Sequence, residues 1–252
     1  MPETAAESIL FGRHAVAELL GSGTAVDTVL LADTLDEKTQ RYFTALARSA
    51  GAVVKRTRSA KLDDLCAGGR HQGVAAFAAQ VVYCQLDDLL EIAHARGEAP
   101  FLLLLDGVED PHNLGALLRS ALLCGVHGAV IPKRGASPVT PVVLRASAGA
   151  AAHLPIARVA NLGEAVRRLK KANLFVFCAD MGGTPLERQD LSGPLALVLG
   201  GEGKGVAPLV KKLCDGAISL SMSSARAGVD SFNVSVAGGI LLYEAFRRRN
   251  PG

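Results

Sequence analysis

The chain has 252 residues, 49% of them hydrophobic and 20% charged, with a formal net charge of +3. The length fits one large domain or two small ones, and the apolar content excludes a disordered chain. A charge this close to balance permits an anionic partner such as RNA without demanding one, and no apolar run reaches the roughly 20 residues that a membrane helix needs.

The opening MPETAAESILFGRH is acidic at first and lacks the apolar run of a signal peptide. Five cysteines (Cys66, Cys84, Cys124, Cys178 and Cys214) are scattered in apolar contexts without CxxC spacing. A cytoplasmic protein with buried, reduced thiols is the expectation.

The first 80 residues alternate between helix and strand patterns. Gly12 to Leu20 reads as a helix closed by Gly21, and Val26 to Leu31 as a strand. Leu35 to Ala50 reads as a helix ended by Gly51, Ala52 to Val54 as a short strand, Leu62 to Cys66 as a helix and Val74 to Ala79 as a strand. This makes a small α/β domain over residues 1–80. Its charges are even, with nine basic and nine acidic residues through position 83. Any anion-binding surface on it must therefore be a local patch. Lys55, Arg56, Arg58 and Lys61 form one such cluster, for which a solvated face is the simpler reading.

Residues 81–99 read as a linker with a helical pattern at Leu86, Leu89, Leu90 and Ile92, closed by Gly97 and Pro100. A second domain spans residues 100–252. Its strand candidates are FLLLLD, VHGAVIP, HLPIARV, LFVFCAD, LALVLG and AISLSM. Helical segments such as NLGALLRSALLCG and NLGEAVRRLKKAN lie between them, the second opening on a capping-box pair, Asn161 and Glu164. SFNVSVAGGILLYEAFRRRN reads as a terminal helix whose closing arginines, Arg247 to Arg249, complement its dipole. Near-continuous apolar strands alternating with helices predict an α/β fold with a mostly parallel sheet covered on both faces.

Three segments of this second domain share one form. They are DGVEDPHNLGALLRS, LALVLGGEGKGV and SLSMSSARAGVDSFNVSVAGG. In each, a strand gives way to small and polar residues at the end where ligands collect in open α/β sheets. One site built from separate loops is the expectation. GGEGKGV is neither a P-loop, since Lys204 is followed by Gly205, nor a dinucleotide fingerprint, since its glycines are spaced GxGxG.

Together these residues resemble the SpoU/TrmH branch of the SPOUT methyltransferases. The NxGxxxR signature is Asn113, Gly115 and Arg119, the second motif is LALVLG followed by GEG with Glu202, and the third is Ser231-Phe232-Asn233-Val234-Ser235-Val236. LFGRHAVAELL and HQGVAA resemble the substrate-binding domain of the RlmB-like subgroup. Ser221 stands where the family commonly has proline, and the stretch SSARAGVD is longer than usual.

The resemblance implies an S-adenosylmethionine-dependent ribose 2′-O-methyltransferase acting on a guanosine of 23S rRNA. It also implies a C-terminal trefoil-knotted domain, a small L30e-like N-terminal α/β domain, and a homodimer whose C-terminal domains complete each other's sites. No metal and no membrane partner are expected. Gly200, Leu220, Met222 and Phe232 are the implied cofactor residues, with Leu220 and Phe232 against the adenine. Arg119 is the implied catalytic residue, with Asn113, Glu202, Ser231 and Asn233 around it. Arg13, His14, Arg70 and His71 are candidate RNA contacts.

Residue chemistry alone leaves alternatives open. Leu220 and Phe232 also suit an ordinary core, and Arg119 a solvated helix face. Asn113 suits a helix cap, and Glu202 a hold on Arg119, a contact to the nucleotide or a plain surface carboxylate. Ser231 and Asn233 suit hydrogen bonds to the ribose or to Glu202, or a cap on the last helix. Two further functional readings stand beside the first, namely the same chemistry on tRNA and a non-catalytic RNA-binding scaffold.

Overall fold

In the computed structural model, which describes residues 9–21, 26–78, 81–223 and 231–250, the apolar runs of the sequence become two separate sheets. They belong to two units, Met1–Val82 and Tyr83–Gly252.

The first unit runs β1 (Ile9–Phe11), α1 (Arg13–Gly21), β2 (Val26–Ala32), α2 (Glu37–Ser49), β3 (Val53–Thr57), α3 (Ser59–Leu65) and β4 (Val74–Ala78). Its sheet has the order β1-β4-β2-β3. β2 pairs parallel with β3 and antiparallel with β4. Every residue of β2 is buried, which suits the apolar run at its centre. Val16, Phe43 and Leu62 bring one helix each into the same core. Asp36 starts α2 by accepting a hydrogen bond from the Thr39 amide at 2.9 Å.

The second unit runs α4 (Leu86–Ala95), β5 (Phe101–Asp106), α5 (Pro111–Leu123), β6 (Gly128–Pro132), α6 (Pro141–Ala146), β7 (Ile156–Val159), α7 (Leu162–Lys171), β8 (Phe175–Pro185), β9 (Leu195–Gly200), α8 (Pro208–Leu213), β10 (Gly216–Ser219) and α9 (Val234–Arg249). The strand order is β10-β8-β9-β5-β6-β7, and all neighbours are parallel. β5 lies at the centre with five of its six residues buried. Leu102 and Leu104 face a core that includes Leu89 of α4 and Val166 of α7. On α9, Gly238 faces Leu117 of α5 and Leu199 of β9. Covering of both faces explains why these strands read as unbroken apolar runs.

Two expectations are corrected here. Residues 81–99 are not a separate linker: Leu86 and Leu89 are buried in the second unit's core, and Cys84 bridges to Ala157 beside β7. Asn161 does cap α7, accepting from the Glu164 amide at 3.1 Å. The Glu164 carboxylate, however, turns outward to Arg167 at 3.3 Å instead of closing a capping box.

The end of α9 is tied down through its arginines. Arg248 donates to the carbonyls of Gln189 at 2.5 Å and Leu186 at 3.1 Å. Arg249 donates to the carbonyls of Gly193 and Ala99 and lies over the Phe101 ring. Glu244 receives Arg247 at 2.8 Å and Arg248 at 2.6 Å, and these guanidinium groups hold its carboxyl down at about 2. The closing arginines thus do more than complement a helix dipole. They join the helix end to the loops before β9 and β5.

Candidate active site

β5 ends at Asp106, where the chain turns through Gly107 into α5. Asp110 caps that helix, its carboxylate accepting from the amides of His112 at 3.1 Å and Asn113 at 3.3 Å, with Pro111 in the first turn. Asn113 is therefore not the cap. It sits inside the first turn, buried, with its side-chain amide turned toward the loop after β9.

That loop follows directly from β9. The Gly201 amide donates to the Asp106 carbonyl at 2.8 Å, and the Asp106 carboxylate accepts from the Ala207 amide at 2.7 Å. The approach is so close that a Cβ on Gly201 would overlap the Gly107 carbonyl oxygen, and one on Gly200 would overlap the Gly205 carbonyl carbon and the Val206 nitrogen. The GGEG sequence thus permits the loop to fold back on its own strand and on its neighbour.

Three side chains, one from each motif, then meet. The Asn113 amide donates to Glu202 at 2.5 Å. Asn233 donates to the same Glu202 oxygen at 3.0 Å and to the Asn113 side-chain oxygen at 3.2 Å. The Asn233 oxygen caps α9, accepting from the Ser235 amide at 2.9 Å and the Val236 amide at 3.4 Å. Capping commits that oxygen to α9, so the NH₂ group is the end that faces Glu202. Asn233 thus caps α9 with its oxygen while its NH₂ group binds Glu202. Glu202 is held by two amides, not by Arg119.

A cavity of about 780 Å³ opens beside this triad. Gly200, Leu220, Met222 and Phe232 all line it, as do Glu202, Ser231 and Asn233. Leu199, Ile218 and Leu241 extend the apolar wall. Phe232 and Met222 are 44% and 42% exposed, so neither is spent on the protein core. Ser221 donates to the Glu187 carboxylate at 3.4 Å, and the longer stretch at 224–230 lies outside the described residues.

Sequence reasoning missed one wall. β8 continues past the expected end at Asp180, and Ala179, Asp180 and Met181 line the cavity where β10 shifts register against it. Asp180 is paired with Lys211 at 2.7 Å and accepts from the Gly182 amide at 3.0 Å. Lys211 first, then that amide, hold its carboxyl below the usual range. The signal was present in LFVFCAD, another strand end on the same side of the sheet.

Residues 100–243 match the SpoU rRNA Methylase family, and residues 9–84 match the family of RNA 2′-O ribose methyltransferase substrate-binding domains. The chain belongs to the SpoU methylase family. It is 41% identical over 243 residues to YacO of Bacillus subtilis, whose name places it among TrmH family tRNA/rRNA methyltransferases, and the match covers 96% of each chain. It is also similar to the SpoU methyltransferase AviRb of Streptomyces viridochromogenes, solved in complex with AdoMet. That likeness has a TM-score of 0.62 and 25% identity, covering 98% of this chain and 92% of AviRb. An AdoMet-bound rRNA methyltransferase of Sinorhizobium meliloti gives a TM-score of 0.59 at 25% identity, covering 95% and 86% of the two chains.

Within this SpoU unit Arg119 stands apart from the cavity. It is exposed on the outer face of α5 with His112 and Leu123, and it makes no hydrogen bond or ion pair among the described residues. The candidate RNA residues of the first unit divide. Arg13 is exposed, with its amide on the Gln72 side chain at 3.1 Å and its guanidinium on the Gln72 carbonyl at 3.3 Å. Gln72, with φ +51°, is a neighbour that the sequence did not single out. His14 is exposed beside Glu18 at 3.5 Å, and Arg70 is exposed. His71 is a correction. It is 8% exposed, its Nδ1 accepts from the Gly73 amide at 2.9 Å, and its Nε2 donates to Asp63 at 2.9 Å. Both ring nitrogens are used in holding the turn before β4, so none is left for a ligand.

Proposed function

We propose that this protein is an S-adenosylmethionine-dependent methyltransferase that methylates a ribose 2′-oxygen of RNA, with a guanosine of 23S rRNA as its target. The observation that carries this reading is the cavity lined by the second and third motif loops, to which the first motif is tied through the Asn113–Glu202–Asn233 triad. Its size lies within the usual range for small-ligand sites. Apolar side chains line it together with Asp180, Glu202 and Lys204, a mixture suited to a ligand with a flat apolar base and charged groups.

When bound, S-adenosylmethionine supplies a methyl group on a sulfonium, so transfer requires an aligned ribose oxygen and removal of its proton. Leu220 and Phe232 offer apolar surface to the adenine, with Met222 beside them, and Gly200 offers backbone groups. The triad would hold the loops in place around the cofactor, and Ser231 would add a hydroxyl to the lining. Arg119 carries a guanidinium, a fork of donors with no acceptor, which suits it to binding an anion and not to taking a proton. Its role is to bind the phosphate or ribose and lower the pKa of the hydroxyl electrostatically.

Arg119 is exposed and does not line the cavity of its own chain, which suits it to complete the cavity of a second copy in a homodimer formed through the C-terminal domains. Val236, Ile240 and Tyr243, apolar yet exposed on α9, suit that contact, whereas Leu241 and Leu242 are intrachain core. The trefoil knot, with the C-terminal segment passing through a loop of the same domain, belongs to this reading. On the first unit Arg13, His14 and Arg70 are the RNA contacts. No helix among the described residues is long and apolar enough to cross a membrane, and the cytoplasm is the proposed location.

The tRNA reading has support of its own, because YacO is named for both tRNA and rRNA. Mapping 2′-O-methyl groups in a deletion strain separates the two. Loss of one 23S rRNA methyl with tRNA unchanged is expected, and loss of a tRNA methyl with rRNA intact overturns the target.

A further inference from the structure

Residues 111–163 contain no Asp or Glu, although the chain carries 24 acidic residues in 252 and such a stretch would average about five. The same stretch holds Arg119, Lys133, Arg134, Arg145 and Arg158. Ordinary soluble surfaces intersperse both signs of charge. Part of this stretch is buried core, but its exposed charges are all of one sign, which suits an anionic partner.

The fold gathers part of this charge beside the motif loops. Lys133 and Arg134 follow β6 at the strand end that also carries the β5–α5 loop. Their loop is pinned there by the Ser137 amide, which donates to the Val108 carbonyl at 3.0 Å. Arg145 lies on α6, which crosses α5 closely. A Cβ on Gly115 would stand 2.5 Å from the Ala146 Cβ and 2.9 Å from the Ser147 nitrogen. Arg119 is one turn along α5 from that crossing. Arg134 and Arg145 are exposed, and among the described residues neither side chain has a hydrogen bond or ion pair. Arg158 is separate, since it stacks over the Tyr83 ring at 4.8 Å. The β5–α5 loop at the same strand end carries Glu109 and Asp110, and Asp110 is already engaged in capping α5.

We infer that Arg134 and Arg145 form a phosphate-holding surface on the catalytic unit that grips the RNA backbone beside the target ribose. This rests on the reading of the substrate as RNA. Contacts of this kind position a nucleic acid without reading its sequence. The surface would hold the strand in place while Arg119 acts at the reacting nucleotide.

The test uses the full-length protein, an unmodified RNA stem-loop of arbitrary sequence, and fluorescence anisotropy at several salt concentrations. Arg134→Gln/Arg145→Gln and Arg134→Glu/Arg145→Glu are compared with wild type, and S-adenosylmethionine is titrated calorimetrically into each. The expected result is at least a tenfold weaker RNA affinity with cofactor affinity unchanged. The slope of log affinity against log salt should flatten by roughly 0.7–0.9 for each contact removed. The neutral pair serves if charge reversal disturbs folding. Unchanged RNA affinity and salt slope in a variant that still binds cofactor overturn the inference. A wild-type protein that binds cofactor but no RNA would instead refute the underlying substrate reading.

Discussion

Arg119→Ala should bind S-adenosylmethionine as tightly as wild type and transfer methyl about 10²–10³-fold more slowly, the loss typical of removing one preorganised electrostatic contact to the transition state. Cofactor affinity should hold because Arg119 does not line the 780 Å³ cavity of its own chain, bonds to none of the triad, and is assigned in the partner's site to the RNA and not to the cofactor. Stability should hold because the side chain is exposed. Single-turnover methylation with saturating cofactor reads the chemical step, and calorimetry reads binding. Mixed dimers of Arg119→Ala with a Phe232→Ala chain should recover activity, because one of the two sites then has both its arginine and its cofactor wall intact. Undiminished transfer by Arg119→Ala would remove the catalytic assignment while leaving the family membership intact.

Gly201→Ala should weaken cofactor binding at least tenfold and lower Tm by several degrees. The added Cβ has no space, because it would overlap the Gly107 carbonyl oxygen, which is backbone and cannot rotate away. The two loops are also held together by the Gly201–Asp106 and Ala207–Asp106 hydrogen bonds, so neither can yield without breaking one. Overpacking of this kind costs about 1–3 kcal/mol. Displacement of Gly201 moves Gly200 and Glu202, which both line the cavity. Gly193→Ala is the control, since a Cβ there meets nothing within 4 Å. A Gly201→Ala protein with wild-type Tm and cofactor affinity would show that close loop approach does not build the cavity.

The sequence was most legible where burial is complete. FLLLLD and LALVLG became β5 and β9 with the expected limits, because a strand covered on both faces shows as an unbroken apolar run. VHGAVIP was trimmed at its start, where His127 leaves the sheet pattern to accept from the Phe101 amide at 3.0 Å and donate to Glu98 at 2.9 Å. β1, with three residues, and α6 and α8, with six each, are too short to show a period and were not foreseen. β8 runs on through Met181-Gly182-Gly183, a composition that reads as a turn.

For the site, the three loops were visible as strand ends, but the bonds between them were not. Asn113 and Glu202 are 89 positions apart, and nothing local to either names the other. The cap reading of Asn113 failed because Asp110, three residues earlier, already takes that place. His71 lies in a stretch rich in glycine and basic residues that suggests a surface, and only the fold reveals its burial against Gly73 and Asp63. Asp180 escaped notice because it lies in none of the three motifs.

The most direct measurement is incubation of the protein with methyl-labelled S-adenosylmethionine and pools of unmodified rRNA and tRNA, followed by digestion to nucleosides. The predicted result is label on a 2′-O-methylated nucleoside, guanosine, recovered from the rRNA pool. Label on a base, or no transfer to either pool by a protein that binds both cofactor and RNA, would contradict the assignment of ribose methylation to this site.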